Sequence, residues 1–198
     1  MYPDSIKNLI DSLKKLPGIG EKSAERLAFS IINFDKDSLT FFADSLLAVR
    51  DKIRRCSVCN YVSDGDLCKI CSNENRNKNI VFVVEKAKDV ISFEKLGVYK
   101  GVYHVLDGLI SPLDGINPED INLKSLIDRI DNENINEVIL ALKPSIEGET
   151  TTQYIKRILS NKSVKISKIA TGIPIGTDME YIDSLTLEMS LEERKLIS

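Results

Sequence analysis

Cys56 and Cys59 form one C-x2-C pair, and Cys68 and Cys71 form a second, with eight residues between the pairs. They are the four cysteines of a 198-residue chain. Two such pairs supply four thiolates at the spacing that a tetrahedral structural Zn2+ takes, one ion per chain. Either pair alone also matches a redox C-x-x-C, but two pairs this close argue for a shared ion. With cysteine at all four positions, no ligand place is left for a catalytic water. The ion's role would be to staple a short, loop-rich segment that cannot build a core of its own. The start, MYPDSIKNLIDSLKKL, carries two acids before any long apolar stretch and does not read as an export signal. A cytoplasmic, reducing compartment is therefore expected, where a disulfide is disfavoured.

The second chemical feature is Leu16-Pro17-Gly18-Ile19-Gly20, set between two helical patterns. Such a turn leaves backbone N–H groups unpaired at the following helix N-terminus, where the helix dipole favours an anion. Lys22 and Arg26 are four residues apart on one helix face, and Ser23 offers a hydroxyl to the same phosphate. LKKLPGIGEKSAERLAF resembles a helix-hairpin-helix motif, which grips the nucleic-acid backbone without reading bases. The same residues also fit a plain helix–turn–helix corner with two glycines. Glu21 and Glu25, beside the basic pair, point to modest affinity.

The remaining chemistry lies among carboxylates. Val83-Val84-Glu85 ends one apolar run, and Leu142-Lys-Pro-Ser-Ile-Glu147-Gly148-Glu149 follows a later one. Strand ends are where open α/β sheets hold their ligands. This layout resembles the Toprim fold of topoisomerases and primases, in which an acid after the first strand meets a D-x-D-x-x-G-E segment. There the carboxylates hold Mg2+ for chemistry on phosphates. Here Lys143 and Ser145 stand at the two aspartate positions. Lysine puts a positive charge where a dication would sit, so a non-catalytic Toprim domain, with no catalytic residues, is the preferred reading. The alternative is a metal-dependent nuclease or primase-like enzyme. The chain's one histidine, His104, lies in an apolar strand pattern and reads as structural. Gly172-Ile-Pro-Ile-Gly176-Thr177 lacks the lysine of a phosphate-binding loop, which argues against an ATPase.

The elements that must position these groups follow from periodicity. Apolar residues are 42% of the chain, ample for a core, and no apolar run approaches the length of a membrane span. Residues 1–79 carry 13 Lys/Arg against 11 Asp/Glu, and residues 80–198 carry 14 against 19. Any polyanion is therefore expected at the front, held by local geometry rather than bulk field. Helices are predicted over 6–16, from about Lys22, and over 39–53, the last ending in Arg50, Lys52, Arg54 and Arg55. From residue 79, apolar runs of strand length at 80–84, 102–106, 138–142 and 164–170 alternate with helical patterns near 87–96, 123–132 and 150–159. That alternation predicts an α/β domain with a mainly parallel sheet covered on both faces. The Leu-rich end is expected to hold a short helix.

The order of parts resembles the RecR family of bacterial recombination mediators. The resemblance runs through LPGIGEKSAERLAF, the two cysteine pairs, YKGVYHVLDGLISPLDGINPED, EGETT and ATGIPIGTDMEYIDSLTL. It departs at Lys86 and at LKPS (142–145), where an Asn-Pro-Thr type of segment is usual. It implies a helix-hairpin-helix region over 1–54, a four-Cys zinc finger over 55–78, a Rossmann-like Toprim domain over 79–174 and an oligomerisation tail over 175–198. It further implies a homotetrameric ring that binds single-stranded, double-stranded or gapped DNA without regard to sequence and works with RecO and RecF to load RecA. Gly18, Gly20, Lys22, Ser23 and Arg26 would then meet DNA, and Glu85 and Glu147 would face the protein partners. A generic zinc and hairpin DNA-binding protein with no such partners is the remaining alternative.

Overall fold

The structure, a computed structural model, describes residues 2–170 and 172–196. Thr171, inside the ATGIPIGT stretch, and the last two residues of the tail, Ile197 and Ser198, lie outside them. The chain forms two compact units, Met1–Ile53 and Arg54–Ser198.

The first unit is helical. In α1 (Asp4–Leu13), Ile6, Leu9, Ile10 and Leu13 recur at helical spacing and make one apolar stripe. It meets α2 (Glu21–Ile32) at Ala24 and Ala28, whose small side chains let the two helices pack around Ile10. Ile19, from the turn, closes this small core. α1 stops at Leu13, three residues before its predicted end, and a tight turn begins ahead of Pro17. In α3 (Lys36–Lys52), Asp35 caps the N-terminus by accepting the Ser38 N–H at 2.8 Å, so the helix begins earlier than its first apolar residue suggested. None of its residues is buried, although Phe41, Leu46, Leu47 and Val49 belong to it.

The second unit opens with a two-stranded antiparallel ribbon, β1 (Arg54–Arg55) and β2 (Val62–Ser63), which frames the cysteine segment. Four parallel strands follow: β3 (Asn77–Val84), β4 (Gly101–Val105), β5 (Glu137–Ala141) and β6 (Lys165–Lys168). Their order is β4-β3-β5-β6, and every pairing is parallel, as the alternation predicted. All five residues of β4 and the last four of β3 are buried, as strands covered on both faces require. The crossovers are α4 (Ala87–Leu96), α5 (Lys124–Asn132) and α6 (Ile146–Leu159). The tail adds a 3-10 turn at Met179–Tyr181 and a short helix, α7 (Ser184–Glu192), capped by Asp183.

Two departures from the sequence reading matter for the site. β3 begins at Asn77, because the polar Asn77–Asn79 stretch joins the sheet through a register shift. α6 begins at Ile146 rather than near 150, because Ser145 caps it by accepting the Gly148 N–H at 3.2 Å. Glu147 and Glu149 thus lie in the first turn of a helix and not in a loop. Gly148 is required there, since a Cβ would fall 1.9 Å from the Lys143 carbonyl oxygen.

His104 is fully buried on β4, and its Nε2 lies 2.8 Å from the Asn122 carbonyl oxygen. Its Nδ1 has no hydrogen-bond partner among the described residues, so the ring is structural but only half satisfied. Burial pushes its pKa down to about 4, and the nearby Arg129 guanidinium acts in the same direction. A His held neutral in the fold stabilises fully above the unfolded value of about 6.5 and loses that contribution as pH falls toward the folded value. Between pH 7.5 and 4.5, urea titrations should show the wild type losing about 2–3 kcal/mol more stability than His104→Gln. Acid release at the thiolates is common to both proteins and cancels; parallel pH curves would refute a neutral buried ring.

Candidate functional site

Three groups of residues carry the chemistry: the four cysteines, the hairpin turn and the carboxyl end of the sheet.

The cysteines belong to the buried core of this unit, together with Ile70, and Val58 and Tyr61 pack against it. Cys56, Cys59, Cys68 and Cys71 are all buried, and their Sγ atoms lie within 4.8 Å of one another. Cys59 and Cys68 stand 3.6 Å apart, close to the ~3.8 Å that a tetrahedron with ~2.3 Å Zn–S bonds demands. Backbone N–H groups already face the sulfurs, Cys68 N–H toward Cys56 Sγ at 3.3 Å and Cys71 N–H toward Cys68 Sγ at 3.4 Å. Sharing protons, the thiols split: hydrogen bonds from Cys59 and Cys71 pull the Cys68 thiol down, while Cys59 and Cys71 are pushed up. Four thiolates can coexist here only around a cation, so the donor set fits one Zn2+.

The knuckle is also fastened to the edge strand of the sheet. The Cys59 carbonyl accepts the Val105 N–H at 2.9 Å, and Asn60 Nδ2 donates to the Val105 carbonyl at 3.1 Å. Arg55, the last of the basic run that follows the third predicted helix, pairs with Asp107 at 2.6 Å. Asp107 adopts a left-handed φ of 62°, a conformation that Asp tolerates better than most residues. Asp107-Gly108 is the turn signal in the sequence that marks this position.

At the hairpin, Gly18 takes a φ of 81°, which the turn needs and a side chain would resist. The Ile19 N–H closes the turn on the Leu16 carbonyl at 3.2 Å. Gly20 is the N-cap of α2 and supplies no side-chain cap, so the first N–H groups of that helix keep no partner from it. Lys22 and Arg26 are exposed and form no ion pair among the described residues. The two acids beside them are occupied. Glu21 pairs with Lys14, and Glu25 accepts the Tyr2 hydroxyl at 3.1 Å. Of the two acids that argued for weak anion binding, Glu21 is offset by an ammonium and Glu25 keeps its charge behind a hydrogen bond, which only the folded turn reveals.

At the sheet, β4 lies on one side of β3 and β5 on the other, so the strand order reverses between β3 and β5. Glu85 follows β3 and Lys143 follows β5, and the two line one cleft with Lys86 and Lys88. Glu85 pairs with Lys86 at 3.0 Å. Glu147 lies below the usual carboxylate range because its own backbone N–H and the Ser145 hydroxyl hydrogen-bond to it, with Lys143 adding to the effect. Ser145 is the α6 cap. Two positions that would need carboxylates to hold Mg2+ are thus an ammonium and a helix cap.

Elemental analysis should find one zinc per chain, and a chelator or Cys68→Ser should release it and unfold the knuckle. A metal-free protein that keeps the amide protection of residues 54–73 would contradict the staple.

Family models match the chain in four successive parts. They are a RecR helix-hairpin-helix over residues 6–50, a RecR four-cysteine zinc finger domain over 53–73, a Toprim domain over 79–170 and a RecR C-terminal part over 172–195. Among the described residues, no helix is long and apolar enough to cross a membrane. The order of the four parts, with the four-thiol site built as the zinc finger requires, places this chain in the RecR family of recombination mediators in DNA repair.

Proposed function

We propose that the protein is a non-catalytic DNA clamp of the cytoplasm that works with RecO and RecF to help load RecA on single-stranded gaps. The observation that carries this reading is the hairpin: Lys22 and Arg26 stand exposed beside the open N-terminus of α2, while Glu21 and Glu25 are tied to other side chains. Gly18 and Gly20 keep side chains out of the turn, Ser23 adds a hydroxyl, and the phosphate backbone is the ligand. Such contacts carry no base information, so binding is sequence-independent and falls with salt.

Each hairpin offers few contacts, and several copies acting together raise the effective concentration. Self-association is supported by α3, whose Phe41, Leu46, Leu47 and Val49 lie exposed on a helix that buries nothing. The C-terminal tail would supply a second joint, and a tetrameric ring is the assembly we favour. At the sheet edge, Glu85 and Glu147 face the protein partners. The enzyme reading, a Toprim nuclease or primase-like transferase, meets Lys143 and Ser145 where its metal ligands belong.

Lys22→Ala combined with Arg26→Ala should weaken DNA binding about tenfold or more at moderate salt and flatten the salt dependence, with mass and melting temperature unchanged. Fluorescence anisotropy on single-stranded and gapped DNA measures this. Unchanged binding would remove the hairpin from the mechanism.

A further inference from the structure

The hairpin turn joins two helix ends of opposite polarity, and a charged side chain stands on each. Lys14 is the C-cap of α1, where the carbonyl end of the helix dipole favours a cation. Glu21 is the first residue of α2, where the N–H end favours an anion. The turn between them closes on the Leu16 carbonyl, and Lys14 pairs with Glu21 across it. The same ammonium lies 3.8 Å from Asp11, one turn back on α1. The Glu21 side chain is 58% exposed, and among the described residues Lys14 is its only ion-pair partner.

The first hydrogen bond inside α2 runs from the Ala24 N–H to the Gly20 carbonyl at 2.9 Å. The N–H groups of Glu21, Lys22 and Ser23 precede it, and Gly20 has no side chain to cap them. Those donors attract any nearby anion, and the anion nearest in sequence is the Glu21 carboxylate itself. Glu147 shows where such a group goes when no ammonium holds it. It stands in the first turn of α6 without an ion pair among the described residues, and its carboxylate accepts its own backbone N–H. A carboxylate tethered to the helix has a high effective concentration, so even a weak hold competes with an incoming phosphate.

We propose that Glu21 is an internal rival for the phosphate at the open N-terminus of α2, and that Lys14 is the positioning residue that holds it away. Lys14 thereby sets how tightly the hairpin grips DNA without touching DNA itself. The proposal rests on the reading of Lys22 and Arg26 as phosphate contacts and adds the pair that governs their site. Asp11 completes the device, since it remains a partner for Lys14 when Glu21 carries no charge.

The test is a double-mutant cycle on the full chain, with binding to labelled single-stranded and gapped DNA read by fluorescence anisotropy at low salt. Lys14→Met keeps the length of the side chain and removes its charge. It should weaken binding about threefold to fivefold, with mass and melting temperature unchanged. Glu21→Gln should bind at least as tightly as wild type, and adding Lys14→Met to it should lower affinity less than about twofold. Lys14→Arg keeps the pair and should bind as wild type does. An equal loss from Lys14→Met in both backgrounds would make Lys14 a plain surface charge or a direct phosphate contact, and would overturn the proposal. If Lys14→Met binds as wild type while Lys22→Ala with Arg26→Ala loses binding, the proposal falls and the hairpin reading stands. If that double variant also binds as wild type, both fall.

Discussion

Four thiols forced into one buried site cannot all ionise unless a cation lies among them, and the second compact unit depends on that constraint. Residues 54–73 contribute two strands of two residues each and little apolar bulk. Ile70, Val58 and Tyr61 give this stretch only a few core contacts against the entropy of ordering it, and the ion adds to them. Held by Zn2+, the same stretch delivers the Cys59 carbonyl and the Asn60 amide to Val105, and the Arg55 guanidinium to Asp107. β4 is the edge strand of a buried parallel sheet, where Arg129 donates to the Tyr103 carbonyl, Asn122 donates to the Val105 carbonyl, and the Val105 N–H needs an acceptor of its own. The knuckle supplies that acceptor. The metal therefore supports the end of the sheet as well as its own loop.

The carboxyl end of that sheet keeps the strand order of an open α/β fold, and its side chains set the charge of the cleft there. The strand order still reverses between β3 and β5, and Gly148 still lets α6 start against the Lys143 carbonyl. What differs is charge. An ammonium at 143 and a capping hydroxyl at 145 leave a hard dication without the oxygen ligands it needs. Glu85 turns to Lys86, and Glu147 settles into a helix first turn where its charge suits the dipole. The cleft, lined by Glu85, Lys86, Lys88, Asp89 and Lys143, presents mixed charge.

Much of this was readable from residue types. The cysteine spacing announced the metal site, and the β-branched runs announced a parallel sheet, because both signals are local. α4 could be placed at 87–96 from periodicity alone. Two of the misplaced boundaries were set by caps: Asp35 and Ser145 extend helices beyond their apolar stripes, and both caps are visible in the sequence once sought. What no pattern discloses is which groups pair. Lys14 with Glu21, Tyr2 with Glu25 and Arg55 with Asp107 are decided by the fold. The two ion pairs alter the charge of their surfaces, and that is the step from motif to function that required the structure.

The measurement that tests the central claim most directly places the purified protein on labelled gapped duplex DNA with Mg2+ or Mn2+, resolved in parallel on native and denaturing gels. The account predicts intact strands and a retarded species that fades as salt rises. Metal-dependent cleavage or extension that disappears in Glu85→Ala would show a working Toprim site and contradict a non-catalytic clamp.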